Sequence, residues 1–272
     1  MKYSENKIII NSDNQTISYI DQGQANAETI ILIHGFPLNK TMWNNQIEEL
    51  KENYRVIAYD IRGFGSSDIG SKDYSIELFV SDLISFMDKL QIKRAILCGF
   101  SMGGYIALNA IQNFHERFTS LLLCDTNCAD DSPETKTKRI ESIENIKEEG
   151  LDKYAEESMK KLFAPISFTK QIAEIGLIRE MIVKTPQESI FKTLHALANR
   201  QETCTNLHKI KVPVLIMVGQ QDKITPPDIA RSMHEKIAES TISIIDNAGH
   251  LSNLENPDQF NSELRKFLNK TK

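Results

Sequence analysis

A serine set between two glycines, Gly99-Phe100-Ser101-Met102-Gly103, offers the clearest chemistry in this chain of 272 residues. It follows the apolar run Arg94-Ala95-Ile96-Leu97-Cys98 and precedes a segment, 104–114, with apolar residues at Ile106, Ala107, Ala110, Ile111 and Phe114. The run reads as a buried strand and the segment after it as a helix. A Gly-x-Ser-x-Gly corner between strand and helix is a nucleophile elbow. Its glycines are needed because side chains flanking the serine would collide with the neighbouring strand and helix of so sharp a turn. The turn lifts the hydroxyl clear of the sheet and sets it at a helix N-terminus, where backbone N–H groups can receive developing negative charge. A phosphate-binding loop is the rival reading. It fails, because no Gly-Lys-Ser/Thr follows and the glycines are not spaced as Gly-x-Gly-x-x-Gly.

A serine hydroxyl is a weak nucleophile near neutral pH and needs a base within hydrogen-bond reach, itself oriented by a carboxylate. The histidines stand at 34, 115, 195, 208, 234 and 250. His250 is the candidate base: Asn247-Ala248-Gly249-His250 follows the apolar run 242–245 and precedes a helix entered at Pro257. A short loop at a strand end is where a ring can reach the end of another strand. His115 and His234 lie in charged helical patterns and read as solvated, while His195 and His208 fall in a helical section and its exit and read as structural. Asp222 is the candidate acid, reached through Gly219-Gln220-Gln221 from the apolar run 212–218. Asp125, after Leu121-Leu122-Leu123, also ends a strand and competes for that role. Asp246 is too close to His250 along the chain to orient it and reads as a strand-end cap.

A tetrahedral oxyanion needs donors. The run 29–33 reads as a further strand, ending in His34-Gly35-Phe36-Pro37. From that loop the backbone N–H of Phe36 can be aimed at the same point as the N–H of Met102, and losing one such donor typically costs about 3 kcal/mol. Pro37 offers no N–H but stiffens the loop. The candidate substrate pocket comprises His34, Trp43, Met159 and Phe163, each with a second reading. His34 also reads as buried support for its loop, Trp43 as a helix anchor, and Met159 and Phe163 as ordinary packing. Arg62 reads as an ion pair fixing the loop around Asp60 and Asp68.

These groups need a frame. Strand-like runs recur at 8–10, 16–20, 29–33, 55–59, 95–98, 120–124, 212–218 and 241–245. From the third onward they alternate with helical patterns, which argues for an α/β fold: a mostly parallel eight-stranded sheet with helices on both faces. The first two, closely spaced and half polar, read as an antiparallel hairpin at the edge. Ligands of such sheets bind beyond the carboxyl ends of the strands, where all five candidate groups project. Residues 127–207 break the alternation with helical patterns punctuated by Pro133, Gly150, Pro165 and Pro186. They read as a helical cap inserted between two parts of the core, 1–126 and 208–272.

Composition narrows the partners. A hydrophobic fraction of 40% and a charged fraction of 25% fit an ordinary globular protein. A net charge of −5, with no basic block interleaved with aromatics, argues against nucleic acid. No apolar stretch approaches the ~20 residues needed to cross a membrane, and Met1-Lys2-Tyr3-Ser4-Glu5-Asn6-Lys7 has no signal-peptide core. Cytoplasmic residence is the expectation. The cysteines at 98, 124, 128 and 204 lack metal-ligand spacing; Cys98 and Cys124 read as buried thiols, and nothing requires a disulfide.

With the elbow, His34-Gly35-Phe36-Pro37, Asp60-Ile61-Arg62-Gly63-Phe64-Gly65-Ser66-Ser67-Asp68 and Asn247-Ala248-Gly249-His250 in order, the chain resembles the α/β-hydrolase superfamily over nearly its whole length. It looks most like the bacterial carboxylesterases and 3-oxoadipate enol-lactonase-like proteins. That closer likeness rests on Ser101-Met102-Gly103-Gly104-Tyr105-Ile106-Ala107-Leu108, Leu123-Cys124-Asp125-Thr126 and Gly249-His250-Leu251-Ser252-Asn253-Leu254-Glu255-Asn256-Pro257. The order Ser101, Asp222, His250 is also that of the superfamily. The resemblance implies an α/β-hydrolase fold, a triad of Ser101, His250 and Asp222, an oxyanion hole from Phe36 and Met102, and no metal or organic cofactor. Related dehalogenases use a carboxylate nucleophile, which the serine argues against. The implied activity is hydrolysis of a small or medium carboxylic ester or lactone through an acyl-serine. Three alternatives stand beside it. One is a specific 3-oxoadipate enol-lactone hydrolase, for whose anionic substrate Arg139, Arg179 and Arg200 are candidate partners. The others are a cofactor-free perhydrolase and, from another class, a non-catalytic small-molecule receptor with the same fold.

Overall fold

Strands form at each apolar run: β1 (Asn6–Ile9), β2 (Thr16–Gln22), β3 (Thr29–Ile33), β4 (Arg55–Tyr59), β5 (Ala95–Phe100), β6 (Phe118–Cys124), β7 (Val214–Gly219) and β8 (Ser240–Ile245). The computed structural model describes residues 2–10 and 14–271. β7 begins two residues later than its apolar run because Pro213 has no N–H for the ladder. The sheet order is β1-β2-β4-β3-β5-β6-β7-β8, antiparallel at β1/β2 and β2/β4 and parallel elsewhere. Every residue of β3, β5 and β7 is buried, as parallel strands covered on both faces must be.

The helices are α1 (Asn44–Leu50), α2 (Ile76–Lys89), α3 (Met102–Asn113), α4 (Pro133–Leu162), α5 (Ser167–Lys170), α6 (Ile172–Lys184), α7 (Gln187–Asn199), α8 (Pro227–Lys236), α9 (Ser252–Glu255) and α10 (Pro257–Lys270). One apolar core joins one side of the sheet to α2, α3 and α8 through residues such as Phe79, Phe86, Ile106 and Met233. A second joins the other side to α1 and α10 through Ile47, Phe260 and Leu264. Ser75 caps α2 by accepting the N–H of Leu78 at 3.1 Å, and Pro257 opens α10, where no N–H is missed.

Between β6 and β7 the chain is helical, α4 to α7. α4 is broken at Gly150, whose φ of +83° is left-handed. A side chain there would meet nothing within 4 Å, so the backbone angle rather than crowding selects glycine. Ile143 and Ile146 of α4 pack with Ile190 and Leu194 of α7 in a small core of their own. Ala155, Met159, Leu162 and Phe163 instead join the apolar core beneath the sheet.

Arg62 is held in an ion pair, as expected, and its partner is the buried Asp82, at 2.7 and 2.8 Å. Asp60 takes the buried Lys40 ammonium at 2.6 Å. Both charges thereby keep partners out of water. Cys128 and Cys204 form a disulfide, which the sequence allows but does not demand. Cys98 and Cys124 are buried thiols as expected. Among the described residues no helix is long and apolar enough to cross a membrane.

The disulfide closes a loop of 76 residues around the helical section. Loop-closure entropy gives it about 4 kcal/mol. Replacing both cysteines by serine should therefore lower the urea midpoint by the equivalent of roughly that amount; an unchanged midpoint would show that the bond is not made in solution.

Candidate active site

Ser101 is placed by crowding on both sides of it. A Cβ on Gly99 would lie 2.2 Å from the Gly103 carbonyl oxygen, and one on Gly103 would lie 2.4 Å from that of Ile33. Only hydrogen fits at either position, so strand, turn and helix close to backbone contact. Ser101 itself adopts φ +50°, outside the ordinary range for a side-chain-bearing residue. Its amide donates to the Cys124 carbonyl at 2.9 Å and its carbonyl accepts from Thr126 Oγ1 at 2.7 Å. β6 thus grips the turn from one side.

His250 stands 2.9 Å from Ser101 Oγ through Nε2, and 2.8 Å from Asp222 Oδ2 through Nδ1. Asp222 also accepts the N–H groups of Ile224 and Thr225 at 2.7 and 3.0 Å and the Thr225 hydroxyl at 2.6 Å. Burial opposes ionisation of Asp222, but the adjacent His250 ring and the Thr225 bonds outweigh it and hold the carboxyl below its usual range. A carboxylate only accepts, so Nδ1 of His250 must carry the proton. The lone pair on Nε2 then faces the serine hydroxyl, which donates to it.

Asp125, the competing acid, lies close to this pair: its carboxylate, that of Asp222 and the His250 ring offer atoms within 4.8 Å of one another. It does not hold the ring. It accepts the Gly219 N–H at 2.8 Å and bonds Ser252 Oγ at 2.5 Å, tying β6 to the end of β7 and the start of α9. Burial, and then the charge of Asp222, push its carboxyl well above the ordinary value. The three groups have metal-ligand chemistry, but their oxygens and Nδ1 are already committed to these hydrogen bonds.

Phe36 and Met102 line a cavity of about 300 Å³ together with Ser101 and His250. Met102 opens α3, where no intrahelical carbonyl can reach its N–H. The cavity is otherwise walled by Tyr105, by Leu194 and Leu197 of α7, and by α4 on both sides of its break. Of the four candidate pocket residues, none lines it. His34 is fully buried and Trp43 equally so, packed edge-on against Phe100, whose ring lies 5.2 Å from that of His250. Met159 and Phe163 turn into the core beneath the sheet. The apolar stripe of α4 is a packing face, and its polar face meets the cavity. Of the candidate arginines only Arg139 reaches the wall; Arg200 is buried on Asp131 at 2.5 Å and Arg179 pairs with Asp152 on the surface.

Sequence reasoning overlooked Glu255. Its Oε1 accepts the N–H groups of Gly249 and Leu251, at 2.8 and 3.3 Å, bracketing His250. Its Oε2 takes the Ala164 N–H at 2.7 Å and Ser167 Oγ at 2.5 Å, so it pins the His250 loop to the helical section. Its place five residues beyond His250 in the same motif is the one available signal.

Comparison with known proteins agrees with this fold. Residues 28–257 match the alpha/beta hydrolase fold family. A 3-oxoadipate enol-lactonase of Acinetobacter baylyi is 29% identical over 94% of both chains. A thermophilic esterase from Thermogutta terrifontis superposes with a TM-score of 0.93 at 33% identity, covering 98% of this chain and 99% of that one. The enol-lactonase of Burkholderia xenovorans superposes at 0.90 with 27% identity, over 97% and 100% of the two chains.

His34 yields a pH dependence. Its Nδ1 donates to the Gly35 carbonyl at 2.8 Å and its Nε2 accepts the Ile61 N–H at 2.9 Å, so the ring is neutral and spoken for. Burial lowers its pKa to about 4. Unfolded, it titrates near ~6.5. The folded protein therefore holds fewer protons between those values, and the stabilisation is complete above the higher one and drains as pH falls toward the lower. Urea melts at pH 7 and pH 4 should show wild type losing about 3 kcal/mol more than His34→Gln; equal losses would assign the acid sensitivity elsewhere.

Proposed function

Because the chain belongs to the α/β-hydrolase family, we propose that it is a serine hydrolase cleaving small or medium carboxylic esters or lactones. One observation carries the reading: His250 Nε2 lies 2.9 Å from Ser101 Oγ while its Nδ1 is held by Asp222 at 2.8 Å. Ser101 Oγ attacks the carbonyl carbon as Nε2 takes its proton, and the ionised Asp222 offsets the charge on the imidazolium. The Phe36 and Met102 amides receive the oxyanion. Collapse of the tetrahedral species expels the alcohol, which leaves with the proton from Nε2, and an acyl-serine remains. Water, deprotonated by the same ring, then releases the acid and restores Ser101. For a lactone the alcohol stays tethered to the product. No step calls on a metal or organic cofactor.

The size of the cavity fits a small substrate, since about 300 Å³ is the lower end of ligand pockets. The esterase and enol-lactonase relatives support the ester and lactone classes.

Turnover of p-nitrophenyl butyrate tests the assignment. Ser101→Ala should lower kcat by about 10⁵-fold or more, and retained activity would refute it. The choice of acid has its own test. Asp222→Asn should lower kcat by roughly 10³–10⁴-fold because the amide imposes the wrong tautomer on His250. Asp125→Asn can keep both of its hydrogen bonds and should stay within a few-fold of wild type; the reverse order would exchange the two roles.

A further inference from the structure

The bond from His250 Nδ1 to Asp222 cannot by itself keep Nε2 on Ser101. A ring held by one hydrogen bond can swing about it, and the swing is stopped only if the backbone that bears the ring is also fixed. A short loop beyond a strand end is among the less fixed parts of a fold. Here three successive amides of that loop are held. The His250 N–H donates to the carbonyl of Leu162, the last residue of α4, at 2.8 Å. The N–H groups on either side, of Gly249 and Leu251, donate to Glu255 Oε1 at 2.8 and 3.3 Å. A Cβ on Gly249 would lie 2.6 Å from the Ala164 nitrogen, so the loop meets the segment after α4 backbone to backbone.

Glu255 joins the two sides of that contact. Its Oε2 accepts the Ala164 N–H at 2.7 Å and the Ser167 hydroxyl at 2.5 Å, and its main-chain carbonyl accepts the Gln171 side-chain amide at 3.0 Å. A carboxylate has two oxygens that only accept, so one side chain can gather donors from two segments. An amide or a hydroxyl cannot do this equally on both sides. Glu255 is only 7% exposed, so water is poorly placed to take over any of these bonds.

Resting on the reading of Ser101 as nucleophile and His250 as base, we propose that Glu255 is a positioning residue for the reaction. It fixes the backbone of His250 against residues 162–167, so that Nε2 stays on Ser101 Oγ while the ring gains and loses its proton. Glu255 touches no reacting atom and acts through the loop. The same carboxylate makes the placement of the base depend on the placement of the helical section, because Ala164 and Ser167 lie at its other end.

Hydrolysis of p-nitrophenyl butyrate, expressed per folded molecule as counted by circular dichroism, tests the proposal. Glu255→Ala should lower kcat about a hundredfold, the cost of roughly an ångström of misplacement, with KM within about twofold of wild type. Glu255→Gln keeps one oxygen for the Gly249 and Leu251 amides and an NH₂ that can donate to Ser167 Oγ, so it should regain most of that loss. Ser167→Ala leaves the amides beside His250 bound and loosens only the far end of the clamp. It should lower kcat a few-fold without moving KM, and it keeps the test decisive if Glu255→Ala does not fold. Variants that melt earlier yet keep the wild-type kcat per folded molecule, or that lose in KM alone, overturn the proposal. The rate at which a fluorophosphonate labels Ser101 separates it from the reading beneath it, and should fall in step with kcat. A wild type that is not labelled at Ser101 sinks the nucleophile, whereas Glu255→Ala labelled there at the wild-type rate sinks the positioning role alone.

Discussion

Two hydrogen bonds in series, from Asp222 to His250 and from His250 to Ser101, set the demand that the rest of the fold meets. Each is directional, and together they fix the ends of three separate strands to within a few tenths of an ångström. Side chains drawn from β5, β7 and β8 can satisfy that only if the sheet brings those strand ends to one rim. The strand order places β5, β6, β7 and β8 side by side and parallel, so their carboxyl ends face the same way. The order of the residues along the chain is then a consequence of topology.

Holding that rim costs backbone strain, of order 1–3 kcal/mol per residue in the left-handed region. Ser101, Asp125 and Asn247 all have positive φ, near +50°, just past β5, β6 and β8. Buried carboxylates hold the neighbouring loops in turn. Asp125 links β6 to Gly219 and Ser252, and Glu255 links the amides flanking His250 to Ala164 and Ser167. Burial pushes both carboxyls above their ordinary values, and the N–H and hydroxyl donors around each offset part of that cost.

What the sequence shows depends on whether the signal is local. The apolar runs that become β3, β5 and β7 are legible because a parallel strand buried on both faces leaves no polar residues to confuse it. Ser101, Asp222 and His250 stand out because each follows such a run. The side chains of the cavity wall are not legible in the sequence, for a physical reason. Apolar periodicity in α4 marks the side turned to the core, so Met159 and Phe163 pack there, while Lys138, Arg139, Ser158 and Lys161 line the cavity. The Cys128–Cys204 bond joins positions 76 residues apart, a distance over which spacing carries no information. Glu255 was hidden differently: its four acceptor contacts reach two segments nearly 90 residues apart, and nothing in a lone glutamate announces that.

The central claim is that Ser101 becomes the covalent attachment point of the acyl group. The most direct measurement is peptide mass spectrometry after reaction with a fluorophosphonate, which phosphonylates an activated serine. The account predicts a single adduct, on the peptide containing Ser101, that no longer forms when His250 is replaced by alanine. A chain that cleaves esters yet carries the adduct on another residue, or labels equally well without His250, would contradict it.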